Sequence, residues 1–542
     1  MVLFHNEMRT LLNSLRINSV GRISASNLNA WRPDLKVWRT QFGHLLRMSR
    51  LVMGRLNRST VIQVAYFAKF LQRLSRASGL VGVVKYLKVA HVMLIQAVPD
   101  SDLQPNSREI GKVGVSRCAD GLPRVIPLIA RKLIREGHAP TIRLWLTLLG
   151  IYRVLPSRGR VNYSTIVTPG VVIPTWFLGR WDAFLRWFIF RLEVFFEYPL
   201  LGKGFTHLGK PTIYANTKAS ADSSASGGRS SFGSRIAAAK RWRSGEWGTT
   251  LKEYLECVDQ VGTTKSFWTV LSETATTPVG SPGSTGFQNY SCSGRLSTKV
   301  EAAGKVRLFA LVDYWTQASL RPLHDLLGNI LKEIPQDGTF DQLKPVQNLL
   351  RRVGKDQKIY SFDLTAATDR LPLVLQKMLL SHLFDSKFAE AWANLLVGRP
   401  YRCPFGEPYG TENSVKYAVG QPIGAYSSWV MLAVTHHALI QFCWYSLGNR
   451  SWFQDYAVLG DDVIIASDVV ALRYRAICRV IGLGIGIAKS LIARNRTCEF
   501  AKRFFFRGED VSGLPHNLWN ASLVSAGVAL ALIQRVTRQC PQ

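Results

Sequence analysis

Two short carboxylate-bearing segments constrain this chain more than any other feature. Asp455-Tyr456-Ala457-Val458-Leu459-Gly460-Asp461-Asp462-Val463-Ile464-Ile465-Ala466 sets a Gly-Asp-Asp between two apolar runs. It reads as a β-hairpin that presents adjacent carboxylates at its turn. Upstream, Lys358 to Leu364 reads as a short strand delivering Asp363 at its end, and the following turn carries Asp369 back before a helix that begins near Leu373. Two strand ends bearing acids converge on one place. Hard divalent cations prefer carboxylate oxygens and keep open positions for phosphate, so Asp363, Asp461 and Asp462 suit phosphoryl or nucleotidyl transfer. Asp369 taken singly reads equally well as an acid at a helix N-terminus, where it complements the macrodipole without chemistry.

Charge narrows the partners. The 68 Lys and Arg against 36 Asp and Glu leave a formal net charge of +32, which calls for a polyanion: nucleic acid first, an anionic membrane surface second. A chain of 542 residues at 47% hydrophobic content buries large cores in several subdomains. The 8 cysteines include no Cys-x-x-Cys pair, so neither a zinc site nor a disulfide framework is indicated, and a reducing compartment fits.

Along the chain, the first sixty residues carry Arg9, Arg16, Arg22, Arg32, Arg39, Arg47, Arg50, Arg55 and Arg58 against Glu7 and Asp34. Three readings compete there: a packed basic lobe, an RNA-binding arm, and a targeting segment. Helical, Leu- and Arg-rich sequence continues to about Leu200, with a boundary placed near Gly204. Ser/Gly-rich loops follow at Ala219 to Ser231 and at Thr274 to Gly286. Tyr417 to Asn449 lacks Asp, Glu, Lys and Arg, and Ala425 to Leu447 is long enough to cross a bilayer. Its Ser, Thr, His and Gln argue for a buried helix, so no integral membrane segment is expected. His436 and His437 diverge by about 100° on a helix, which disfavours one shared ion and favours a core or template contact.

Smaller signals cluster around the acids. In Lys299 to Ala310, Lys305 and Arg307 share one face of a predicted strand, suited to gripping a triphosphate or simply to solvent. Gly420-Gln421-Pro422-Ile423-Gly424-Ala425-Tyr426-Ser427-Ser428-Trp429 is a Gly/Pro loop opening into a helix with hydroxyls in its first turn, which permits close backbone approach to a ligand. The glycines of 482–486 make a turn before Lys489, which reaches back toward the carboxylates. Cys498 to Gly508 reads as a basic, aromatic β-hairpin.

Taken in order, basic strand, Asp-x5-Asp turn, Gly-Gln-Pro loop, Gly-Asp-Asp hairpin, lysine turn and basic hairpin resemble motifs F, A, B, C, D and E of viral RNA-dependent RNA polymerases. The wording is similar to that of the mitovirus polymerases in Asp337-Gly338-Thr339-Phe340-Asp341-Gln342, Asp363-Leu364-Thr365-Ala366-Ala367-Thr368-Asp369-Arg370, Gly420 to Trp429, Leu459-Gly460-Asp461-Asp462 and Glu499-Phe500-Ala501-Lys502-Arg503. The resemblance covers about residues 290 to 510. It implies an α+β right-hand polymerase: a basic, mainly helical N-terminal region (1–204), fingers (205–350), palm (351–510) and a short thumb-like segment (511–542), with the N-terminal helices helping to close the channel.

The same resemblance implies roles. Asp363 and Asp461, supported by Asp462, would hold two Mg²⁺ ions, with Mn²⁺ as a substitute. Lys299, Lys305 and Arg307 would neutralise the incoming rNTP, and Lys489 would protonate pyrophosphate. Asp369, with Ser427 or Ser428 beside Gly424, would sense the ribose 2′-hydroxyl. RNA template and nascent RNA are the implied partners, and the host mitochondrion the implied location, with the host cytoplasm as alternative. A reverse transcriptase of the same palm architecture is the competing enzyme, disfavoured by Gly460 and Asp369. A basic RNA-packaging protein would explain the charge but not the ordered acids.

Overall fold

The computed structural model describes residues 35–539, apart from 100, 104, 156, 158, 197–198, 214–219, 222–231, 245–247, 259–264, 278–293 and 404–413. The arginines before residue 35 and most of the two Ser/Gly-rich loops lie outside the described residues. The chain is α+β and divides into two compact units: one contains Met1–Arg160, Val300–Lys305 and Leu491–Gln542, the other Val161–Lys299 and Val306–Ser490.

In the first unit, α1 (Leu35–Met53), α2 (Arg58–Ala97) and α3 (Ala139–Leu149) pack together. Among the described residues, α2 is the one helix long and apolar enough to span a membrane, although 56% of its most apolar window is buried. It is not straight: Gly79 leaves the helical region at φ 64°, ψ −178°. The rings of Phe70 and Tyr86 meet at 5.2 Å, whereas a continuous helix would hold those residues about 24 Å apart. Hence α2 doubles back at Gly79 as two shorter helices. The C-terminal segment completes this unit. Thr147 of α3 accepts from Leu514 N–H at 2.9 Å through its hydroxyl and from His516 Nε2 at 2.7 Å through its carbonyl, and His44 Nε2 lies 2.7 Å from His516 Nδ1. Burial drives both imidazoles toward the neutral form, His44 to about 3 and His516 to about 4.

The second unit carries most of the motifs, whereas Lys305 and Glu499 to Arg503 belong to the first. Helix α4 (Thr175–Glu193) leads with its aromatic face, and Trp181 and Phe184 meet Phe442 edge-on. Strands β1 (Gly294–Val300) and β2 (Val306–Val312) form a hairpin, and α5 (Tyr314–Glu333) follows, N-capped by Asp313. Then come β3 (Ile359–Asp363), a single turn α6 (Ala367–Arg370), α7 (Leu373–Leu383), α8 (Ser386–Val397), β4 (Tyr401–Arg402) and β5 (Ser414–Val415). Helix α9 (Ser428–Tyr445) precedes the hairpin β6 (Tyr456–Leu459) and β7 (Asp462–Ile465), and α10 (Asp468–Val480) closes the series. One sheet runs β2-β1-β4-β5; in another, β6, β7 and β3 are neighbours in that order.

The uncharged run at Tyr417 to Asn449 resolves into α9, whose residues from Val430 to Cys443 are all buried. Its apolarity on every face reflects burial on every face. One expectation shifts slightly: β2 begins at Val306, and Lys305 sits in the preceding turn, where its carbonyl accepts from Glu301 N–H at 2.7 Å.

Candidate active site

Backbone pairing assembles the three acids. Strand β3 is antiparallel to β7 with Asp363 opposite Asp462, and β6 pairs β7 with Leu459 opposite Asp462. Directly opposed residues sit about 4.5–5.5 Å apart at Cα. The Asp461 carbonyl accepts from Leu364 N–H at 3.1 Å, which ties the turn to the end of β3. All three carboxylate residues are half-buried, so their oxygens can reach solvent or a ligand.

Gly460 makes the turn at φ 59°, and a Cβ there would overlap the Trp429 indole. Only glycine satisfies both demands. From the same helix, two turns on, His436 reaches the turn as well: its Nδ1 donates to the Gly460 carbonyl at 2.7 Å, and its Nε2 accepts from Tyr474 at 2.7 Å. A carbonyl accepts only, so the proton sits on Nδ1; burial lowers the imidazole to about 4 and keeps it neutral. His437 does parallel work, bridging the Tyr456 hydroxyl at 2.9 Å and the Asp337 carboxylate at 3.0 Å. Asp337 in turn lies beside β6, where Gly338 N–H donates to the Val458 carbonyl at 2.8 Å. Both histidines are therefore buried supports of the hairpin. The signal that could have found His436 is its seven-residue spacing from Trp429, which puts both on one face of a helix beside the Gly-Asp-Asp.

The lysine turn is stitched to β3. Thr365 N–H donates to the Gly484 carbonyl at 2.8 Å, Gly486 N–H donates to the Asp363 carbonyl at 2.8 Å, and Lys489 N–H donates to the Gly486 carbonyl at 2.8 Å. A Cβ on Gly486 would lie 3.8 Å from Asp363 Oδ2. The exposed Lys489 thus leaves the backbone two hydrogen bonds from the main chain of Asp363.

Asp369 is buried within α6, and its Oδ2 accepts from Thr165 Oγ1 at 2.7 Å. Burial pushes its carboxyl up to about 6, opposed by that hydrogen bond and by Arg307 and Arg370. Gly420 donates its N–H to the Asp369 carbonyl at 2.9 Å, and Gln421 to that of Thr368 at 3.0 Å. The close approach that Gly420 permits is to this backbone, and the one Gly424 permits, at φ 111°, is to the Ala310 carbonyl of β2. Ser427 is buried and accepts from Trp392 Nε1 at 2.9 Å. The Ser428 hydroxyl is buried with no hydrogen-bond partner among the described residues. Lys299 and Lys305 are exposed on either side of the turn between β1 and β2.

Among the described residues, no three His, Cys, Asp or Glu side chains form a preassembled metal cage. The acid set nevertheless fits Mg²⁺, which takes one or two protein carboxylates and completes its shell with water and substrate phosphates. Adjacent acids on paired strand ends, in a sheet packed by helices, make a carboxylate site of the kind that holds divalent cations. Residues 215–541 match the family described as mitovirus RNA-dependent RNA polymerase, and the chain belongs to that family.

Individual relatives agree. The RNA-directed RNA polymerase of Cryphonectria parasitica mitovirus 1 is 33% identical over 434 residues, 77% of this chain and 49% of that protein. The chain thus spans about half the length of that relative. Two proteins of Arabidopsis thaliana described as uncharacterized mitochondrial proteins are 37% and 38% identical, over 33% and 31% of this chain and 71% and 80% of their own lengths. Among solved structures, an insertion-loop deletion mutant of the RNA-dependent RNA polymerase of a human picorbirnavirus matches 46% of this chain and 55% of its own at 13% identity and a TM-score of 0.32, too distant a likeness to define a fold.

Proposed function

We propose that this chain is an RNA-dependent RNA polymerase that extends RNA on an RNA template from rNTPs. The observation that carries the reading is the register that sets Asp363 against Asp462, with Asp461 tied to the end of the same strand, in a member of the mitovirus polymerase family. Asp363 and Asp461, backed by Asp462, would hold two Mg²⁺ ions or Mn²⁺ in their place; when bound, such ions activate a 3′-hydroxyl and stabilise departing pyrophosphate. Around them the chain's own groups divide the work. Arg307, with Lys305 and Lys299, neutralises the triphosphate, and Lys489 gives a proton to the leaving pyrophosphate.

Asp369 is the ribose-sensing group in this reading, because a buried carboxylate can accept from the 2′-hydroxyl. Ser428, whose buried hydroxyl has no partner among the described residues, is better suited to join it than Ser427, whose hydroxyl already serves Trp392. The right-hand arrangement of fingers, palm and short thumb within boundaries near 204, 350 and 510 belongs to the same proposal. So does a mitochondrial location, supported by the two mitochondrial relatives in Arabidopsis; recovery of the protein outside protease-protected mitochondria would count against it.

Primer extension on an RNA template with separate rNTP and dNTP pools tests the activity. The reading expects rNTP incorporation that Asp461→Asn abolishes while RNA binding persists. Preferential dNTP use would instead indicate a reverse transcriptase, and RNA binding without any incorporation a packaging protein.

A further inference from the structure

The first half of α2 carries an exposed stripe that the active site does not account for. Arg58, Ile62, Tyr66, Lys69, Arg73 and Arg76 are all exposed. Their spacing of four, four, three, four and three residues places them within an arc of about 80° over about 27 Å of helix, and no other residue of that half falls in the arc. The opposite face is committed to the core: Val64, Phe67 and Leu71 are buried, Gln63 Oε1 accepts from Trp145 Nε1 at 3.0 Å, and Phe67 meets the Trp145 ring at 5.7 Å.

Two further observations say what the stripe faces. No Asp or Glu occurs anywhere in residues 35–99, a stretch that includes Arg47, Arg50, Arg55 and Lys85 besides the stripe's own cations. None of Arg58, Lys69, Arg73 and Arg76 forms an ion pair among the described residues. A solvated surface helix ordinarily intersperses both signs, whereas a one-sign stripe with an aromatic ring in it matches a strand of phosphates with bases to stack. A lipid surface fits less well, because a membrane-lying helix needs a broad free apolar face and this one has spent its apolar face on Trp145.

We infer that this stripe is a binding surface for single-stranded RNA, with Lys69, Arg73 and Arg76 on neighbouring phosphates, Tyr66 under a base and Arg58 on a phosphate further along the strand. The inference rests on the reading of RNA as substrate, but it concerns binding alone.

Affinity of the full chain for a short labelled single-stranded RNA, measured across a salt series, tests it. Neutralising Lys69, Arg73 and Arg76 together to Gln should weaken binding at least tenfold and lower the log–log salt slope by about 2, from about 0.7 per lost phosphate contact. The same charge removed at the exposed Arg351, Lys355 and Lys387 should weaken it less than threefold. Tyr66→Ala should reduce single-strand affinity about fivefold or more with the slope unchanged and leave duplex affinity alone. Equal losses from the stripe and control triples would overturn the inference by assigning the effect to bulk charge. So would a stripe triple that keeps RNA affinity but loses binding to vesicles of anionic phospholipid. Thermal melting of each variant guards against misfolding, and the charge-conserving triple of Lys69→Arg, Arg73→Lys and Arg76→Lys should retain affinity. RNA bound through the stripe by a chain that incorporates no nucleotide would refute the polymerase reading and leave this one standing.

Discussion

His436 illustrates how one side chain can govern a site it does not enter. Its Nδ1–H fixes the Gly460 carbonyl, hence the plane of the peptide that leads into Asp461. In His436→Phe that carbonyl is buried without a donor, at a cost of about 1–3 kcal/mol. A turn displaced by a fraction of an ångström should lower kcat about 10–100-fold while RNA affinity is kept. His436→Asn retains a donor near Nδ1 and should recover most of the loss. A uniform fall in kcat, RNA affinity and melting temperature, with no rescue by Asn, would show a purely structural role. Asp369 makes a different prediction. Its folded pKa is raised to about 6, so the fold favours the neutral acid: the contribution is complete below about pH 4 and is lost as pH rises through 6. Asp369→Asn should therefore gain up to about 3 kcal/mol on wild type between pH 4.5 and 7.5, read from paired thermal melts. If the ionised carboxylate accepts from the ribose, rNTP preference should climb over pH 5–7 in wild type and stay flat in the Asn variant.

At the scale of elements, the end of strand β2 is anchored by a buried ion pair. Asp313, just past the end of β2, accepts from Arg399 Nη1 at 3.1 Å, from Trp242 Nε1 at 2.9 Å and from Thr316 N–H at 3.0 Å, with both charged side chains about 1% exposed. Asp313→Ala takes the carboxylate away from a buried arginine and should cost about 3–5 kcal/mol by chemical denaturation; a cost under about 1 kcal/mol would mean that the remaining surroundings of Arg399 compensate its charge. Neither partner stood out in the sequence, because an ion pair 86 residues apart leaves no local pattern. The β6–β7 hairpin and the strand before Asp363 were legible, since alternation and a Gly-Asp-Asp turn are local signals. His436 was visible only as a polar residue in an apolar helix. The reversal at Gly79 was hidden for a different reason: a lone glycine costs a helix only about 1 kcal/mol, so the periodicity of residues 58–97 reads as continuous until tertiary contacts such as Phe70 with Tyr86 bend it.

For the molecule as a whole, the informative fact is that one unit is assembled from both ends of the chain. Arg143 of α3 bonds the Asp510 carbonyl at 3.1 Å, and His516 stands between His44 and Thr147. His516→Ala should expose α1 and α3 to hydrogen exchange while β3, β6 and β7 keep their protection; uniform deprotection would show that the two units unfold as one. The link between His44 and His516 spans 472 residues of sequence. At ribosomal speeds of about 5–20 residues per second, helix α1 waits on the order of 25–100 s for the partner that completes its packing. During that interval the nascent chain carries an arginine-rich, carboxylate-free segment whose packing partner has yet to be made.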